Sequence, residues 1–318
     1  MNMKKEDMKK IINHWNIKNF KVRYLKKSTL NLSFLILSKK EKYVLKNTRN
    51  NKRYSAAQIK VLEYLNKNNF HYKTPLPIYT KKEREGVLFD RNFFILYKYI
   101  KGKNPKRINY SLSKNIGKML GEYHKLIINL KLRPDPTISE VFYDKKISFK
   151  IGKILKDPKV NKKLKLKLKK YFKILKKIII KNKSKYKKLN SLISYSDINL
   201  QNILIDKRKK YKIFALIDFG RICTKPKICD IANAIKYLWG VYGKFDSRIL
   251  KEFLKGYKTK NKIIKKEYEL IPPLIFEETY REILWLIEKK DEYKIDKSKV
   301  KKRLDLLDWL ENNNLKIS

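Results

Sequence analysis

Cysteine, glycine, proline, histidine and acid are all scarce in this chain. The two cysteines, Cys223 and Cys229, have five residues between them, which fits neither a disulfide framework nor a zinc site. The three histidines, His14, His71 and His124, are scattered and exclude a histidine-rich metal centre. Nine glycines and nine prolines in 318 residues exclude a collagen-like or linker protein. No run of about 18 apolar residues is present, so no membrane span is expected. The stretch Met1 to Trp15 is charged and lacks the apolar core of a secretory signal. Together these absences predict a soluble cytoplasmic protein.

Acids number 30 against 81 basic residues, a net charge of +51. Hydrophobic residues at 42% and aromatics at 12% are ordinary for a globular chain and exclude a disordered polybasic tail. A polyanion partner, nucleic acid or an anionic membrane, would account for the surplus. So would a genome whose codon usage favours Lys, Ile, Asn and Tyr. Lys far outweighs Arg here, whereas phosphate recognition selects the bidentate Arg fork. The second account is the better supported, and no specific nucleic-acid partner is expected. The length suits two domains with a sizeable core.

Residues 31–37 and 42–46 are β-rich and separated by the polar Ser38 to Glu41, a hairpin signal. In residues 55–66, Ala57, Val61, Leu62 and Leu65 form one helical stripe. Residues 93–100 read as a buried strand. After Gly102 helices take over, at 115–130, 248–257, 273–289 and 300–312. Another begins at Asp230, which is placed as its N-cap. Residues 145–190 hold 20 lysines and one acid, Asp157. Yet Leu164, Leu168, Phe172, Leu175 and Ile179 recur every three or four residues, which predicts a core-packed amphipathic helix with a solvated lysine face. Short strands return at 192–195, 203–206 and 213–217. The pattern predicts an α+β fold: a small β-rich lobe, then a larger, mainly helical lobe with a strand hairpin set inside it.

Carboxylates at strand ends between apolar residues need a cause, because burying an unpaired charge is costly. Asp197 and Asn202 stand five apart between apolar strand residues, and Asp218 ends an apolar strand sixteen residues later. Two carboxylates and a carboxamide converging on one hairpin make a hard, oxygen-rich site suited to Mg²⁺. Phosphoryl transfer needs such ligands, a carboxylate to receive the hydroxyl proton, and a cation on the nucleotide phosphates. Protein kinases keep the same Asp–Asn offset and then D-F-G on a following strand, and Asp218-Phe219-Gly220 spells D-F-G.

Over about residues 20–290 the sequence resembles the aminoglycoside phosphotransferase and choline kinase superfamily, a branch of the protein-kinase-like fold. Its usual signature is H-G-D-x-x-x-x-N, then I-D-F/W, then D-I/L-A; here stand Y-S-D-I-N-L-Q-N, I-D-F-G-R and D-I-A-N. The resemblance implies that Asp197 is the catalytic base, that Asn202 and Asp218 hold Mg²⁺, and that Asp230 buttresses the loop. Lys46 would take the place of the phosphate-binding lysine on the third strand. Ser28, Thr29 and Asn31 fall in the equivalent of the nucleotide loop. Residues 97–102 resemble the hinge, where backbone groups of Lys98 and Ile100 would pair with adenine. Gly117 to His124 resembles the first long helix of the larger lobe. On this likeness residues 1–97 form the nucleotide-binding lobe, 98–102 the hinge and 103–318 the helical lobe with the substrate site. Tyr195 stands for the usual His, Ser196 for the usual Gly, and the acidic partner of the lysine falls near Gln58. A Lys46–Glu63 pair would need a shifted register.

The resemblance implies an ATP- and Mg²⁺-dependent kinase acting on a hydroxyl of a small molecule. Glu277, Glu278, Glu282 and Glu288 form a rare acidic patch. It reads either as a solvated helix face or as a cleft wall for a cationic substrate. Two rival functions stay open: a kinase-fold binding protein without turnover, such as a coat component, and a nucleic-acid or anionic-membrane binder using residues 145–190. The sequence sets no oligomeric state.

Overall fold

The computed structural model describes residues 5–27, 32–39, 41–48, 52–132, 144–206, 211–288 and 296–313. Ser28, Thr29 and Asn31 lie outside the described residues. The fold is α+β, as expected, with an antiparallel sheet in one compact unit and mainly helices in the other.

The first unit comprises Met1–Pro105, Leu126–Thr137 and Gln201–Ile222. It holds α1 (Lys5–Ile12), β1 (Lys21–Lys27), β2 (Leu32–Leu37), β3 (Lys42–Asn47), α2 (Lys52–Lys67), β4 (Pro77–Ile78), β5 (Val87–Phe89) and β6 (Asn92–Lys98). The strands form one sheet in the order β1-β2-β3-β6-β4, with β5 pairing β6. Strand alternation sends Leu45 to one face and Val44 and Lys46 to the other. Leu45, Phe34, Ile36, Phe94 and Leu96 pack on Ile11, Ile12 and Trp15 from α1 and the turn after it. The sequence reading missed α1, because a charged 15-residue start masks a short apolar stripe of Met8, Ile11 and Ile12. The hairpin of β8 (Ile203–Ile205) and β9 (Ile213–Leu216) also belongs to this unit. Leu216 N–H donates to the Lys73 carbonyl (3.0 Å), and Ile205 N–H to that of Lys103 (2.9 Å).

The second unit comprises Lys106–Lys125, Ile138–Leu200 and Cys223–Ser318. It begins with α3 (Tyr110–Ile127), α4 (Asp144–Lys156) and α5 (Lys162–Lys187). Strands β7 (Ser191–Ser194) and β10 (Cys223–Pro226) pair antiparallel. They are followed by α6 (Lys227–Ile235), a π-helix (Lys236–Tyr242), α7 (Ser247–Lys258), α8 (Lys265–Tyr268), α9 (Ile271–Glu288) and α10 (Lys297–Asn312). Helix α9 is the hub, touching α4, α5, α6 and α10. The lysine-rich stretch is two helices rather than one, broken at Asp157-Pro158, where proline cannot donate to the ladder. Asn161 restarts it by accepting from Leu164 N–H (2.8 Å). The buried stripe of α5 is Leu168, Tyr171, Leu175, Ile178, Ile179 and Asn182; Leu164 and Phe172 lie at its half-buried margin. Lysines of the other faces meet acids: Lys167 with Asp308, Lys170 with Glu311 and Lys185 with Glu269. Among the described residues no helix is long and apolar enough to cross a membrane.

Two helices touch backbone to backbone through glycine. A Cβ on Gly117 of α3 would overlap the Phe253 carbonyl, and one on Gly256 of α7 the Lys114 carbonyl. Gly256→Ala is therefore expected to destabilise the chain by about 2 kcal/mol in denaturant unfolding. Gly152 of α4 has nothing within 4 Å of such a Cβ, so Gly152→Ala should stabilise by about 0.5–1 kcal/mol.

Candidate active site

A cleft of about 530 Å³ opens within the first unit. Lys46, Lys98, Ile100, Asn202 and Asp218 all line it, five of the residues singled out in the sequence. Lys46 is there because β3 turns its even-numbered side chains away from the core, beside Val44 and across from Ser33. Its Nζ sits 2.5 Å from Asp218 Oδ1. The Lys46 side chain is 9% exposed and that of Asp218 47%, so the cation is the buried partner.

Asp218 reaches the cleft through an unusual backbone. It has φ 64, a left-handed conformation that costs a residue with a Cβ about 1–2 kcal/mol. Phe219, fully buried, anchors the turn, and Gly220 N–H donates to Asp218 Oδ1 (3.3 Å). Burial would raise the Asp218 carboxyl, but the Lys46 charge and hydrogen bond outweigh it and hold the group below the usual carboxylate range. Asn202 ends a 3₁₀ turn and is buried; its carbonyl accepts from Ile217 N–H (2.9 Å), tying it to the residue before Asp218. Asn104, which the sequence did not single out, donates to the carbonyls of Gln201 (2.7 Å) and Ile203 (2.9 Å) on either side.

The acid expected to pair Lys46 is not Glu63. Its carboxylate accepts from Tyr79 Oη instead. Five residues along a helix is about 140° of rotation, so Glu63 faces away when Gln58 faces the cleft. Gln58 is buried, lines the cleft and donates to Tyr97 Oη (3.2 Å). At the other wall the Lys98 ammonium turns out to Glu41 (3.0 Å), and the Lys98 backbone N–H donates to the Leu76 carbonyl (3.4 Å).

One carboxylate and one carboxamide fit a Mg²⁺ ion held by few protein oxygens, with phosphate and water supplying the rest. Among the described residues no three of His, Cys, Asp and Glu gather into a metal site of their own.

Asp197 belongs to the second unit, just after β7. Asn199 Nδ2 donates to its carbonyl (3.1 Å) and its Oδ1 (3.2 Å). The preceding Ser196 has φ 66, which explains why the related signature has glycine there. What holds the strained loop is Asp230. It is not an N-cap: α6 starts at Lys227, and Asp230 lies inside it, fully buried. Its Oδ1 accepts from Ser194 Oγ (2.5 Å) and Ser196 N–H (2.7 Å), and its Oδ2 from Tyr195 N–H (2.8 Å). His124 Nε2 stands 3.0 Å from Oδ2, and its Nδ1 2.9 Å from Tyr257 Oη. Burial alone would raise the Asp230 carboxyl; hydrogen bonding and charge from His124, then Lys225 and Ser194, hold it low. His124 stands out in the sequence only as the end of the Gly117 to His124 helix segment; its role as the partner of Asp230 has no local signal.

Each glutamate of the acidic patch has a cation beside it. Glu277 is buried against Arg281 (2.7 Å), and Glu288 meets Lys150 (2.5 Å). Glu278 lies 3.6 Å from Lys236 and 3.9 Å from Lys225. Glu282 lies 3.3 Å from Lys236 and 2.8 Å from Arg303. Against its own burial, those two cations push the Glu282 carboxyl down to about 2. Its folded value lies below the unfolded one, so the stabilisation is present above about pH 4.3 and is lost as pH falls through 2. The difference in unfolding free energy between wild type and Glu282→Gln should be about 3 kcal/mol at neutral pH and shrink between pH 4.3 and 2. A difference that stays flat over that range would contradict the pairing.

The sequence matches the phosphotransferase enzyme family over residues 21–273. No curated protein matches it in sequence. Solved structures share its fold. A microcompartment-associated aminopropanol kinase is 13% identical with a TM-score of 0.75, over 96% of this chain and 98% of that one. A spectinomycin phosphotransferase in complex with ADP and spectinomycin is 13% identical with a TM-score of 0.64, over 98% and 95%. Choline kinase from Cryptosporidium parvum Iowa II is 14% identical with a TM-score of 0.63, over 99% and 98%. The family match covers most of the chain and takes in Lys46, Asp197, Asn202, Asp218 and Asp230, so the chain belongs to the phosphotransferase enzyme family.

Proposed function

We propose that the protein transfers the γ-phosphoryl group of ATP to a hydroxyl of a small molecule. The observation that carries this reading is the Lys46–Asp218 pair in one cleft with Asn202, inside a chain of this family. Lys46 would neutralise nucleotide phosphate, and the walls of Val44, Leu204 and Ile217 suit a flat apolar ring. Asn202 and Asp218 would hold Mg²⁺, which when bound neutralises charge on the phosphate oxygens. Asp197 would orient the acceptor hydroxyl and receive its proton, from a loop that Asp230 keeps rigid. Positioning and charge neutralisation supply most of the rate in such a reaction.

The acceptor is read from its hydroxyl alone. Glu277, Glu278, Glu282 and Glu288 each already have a cation beside them, so they do not argue for a cationic substrate.

In an ADP-release assay over a panel of hydroxyl acceptors, Asp197→Asn should lower kcat by about 10²–10⁴ and leave nucleotide affinity within about twofold. Equal turnover in the variant would remove Asp197 from its role. Nucleotide binding with no phosphoryl transfer to any acceptor would favour a kinase-fold binding protein.

A further inference from the structure

Lys46 and Asp218 are joined at 2.5 Å, although phosphoryl transfer gives them opposite tasks, one toward phosphate and one toward a cation. Asp218 is the one carboxylate among the described residues lining the cleft. Among the described residues of α2, Gln58 lines the same cleft; it carries no charge and is tied to Tyr97 Oη. Glu63, on the same helix, is turned to Tyr79. Among the described residues lining the cleft, Lys46 thus has no second acid beside it. A divalent cation arriving alone at Asp218 would meet a buried ammonium at ion-pair distance. Two like charges about 4 Å apart near a protein surface repel by several kcal/mol.

On the reading of Asp218 as a cation ligand, we infer that Lys46, left without a second acid by Gln58, makes the cleft's affinity for divalent cations conditional on a phosphoanion. Phosphate draws the ammonium from Asp218 and frees the carboxylate for the cation. Without phosphate, Lys46 competes with the cation for the same oxygen. Gln58 is therefore a positioning residue. It touches no reacting atom, and it sets how strongly Lys46 holds Asp218.

The test measures Mn²⁺ binding to the full chain without nucleotide, from the electron paramagnetic resonance signal of free Mn²⁺. Lys46→Met removes the competitor and should tighten binding by about tenfold, the size of one partly buried ion pair. Gln58→Glu gives Lys46 a second carboxylate and should tighten it by a similar factor. Lys42→Met removes the same charge from β3, but from its exposed end outside the cleft, and should change affinity by less than about twofold. Should Lys46→Met fail to fold, Gln58→Glu against Lys42→Met carries the comparison. Unchanged affinity in Lys46→Met and Gln58→Glu would overturn the inference, as would equal tightening in Lys42→Met. Mn²⁺ binding that is absent in every variant, and absent with ADP present, would instead overturn the reading of Asp218 as a cation ligand.

Discussion

A carboxylate that leaves water must find a partner, and in a chain with so few acids each buried one organises its surroundings. Asp230 is the clearest case. Fully buried in α6, it accepts from two backbone N–H groups and a hydroxyl of the loop before Asp197, and His124 reaches it from α3. The loop can carry Ser196 at φ 66 because Asp230 takes its N–H. Removing that carboxylate would strand three donors at once, the costly half of hydrogen-bond energetics.

Two further acids are held low by cations: Asp218, half-exposed, by the buried Lys46, and the mostly buried Glu282 by Lys236 and Arg303. Lysines dominate the composition, yet the ones that matter are few and are recognised by burial. Lys46, Lys225 and Lys236 have nearly all their side-chain surface covered, and each faces a carboxylate. Many of the others lie on exposed faces such as that of α5, where charge is cheap.

Much of the fold was legible because period and punctuation are local properties. The alternation in residues 32–46 and the stripe of α2 come from adjacent residues, and D-x-x-x-x-N followed by D-F-G is a spacing. Three contacts stayed hidden because the deciding partner is distant. Asp230 reads as an N-cap from its place before an apolar stripe, but its partners are 34 to 106 residues away. Lys46 and Asp218 are 172 residues apart, so no window shows that one is the other's counter-ion. The glutamates of α9 look like a free acidic face, until Lys225, Lys236 and Arg303 arrive from β10, the π-helix and α10.

By itself the sequence determined most element types, the α+β class and the candidates Asp197, Asn202 and Asp218, because these follow from residue chemistry and short spacings; Lys46 was singled out by the family resemblance. Tertiary structure alone decided which charge neutralises which. Coulomb energy depends on distance and burial, and neither can be read along the chain. It decided that the lysine's acid is Asp218 rather than Glu63, and that a left-handed serine beside Asp197 is tolerated. It also decided that a scarce acidic patch is spent on the protein's own cations.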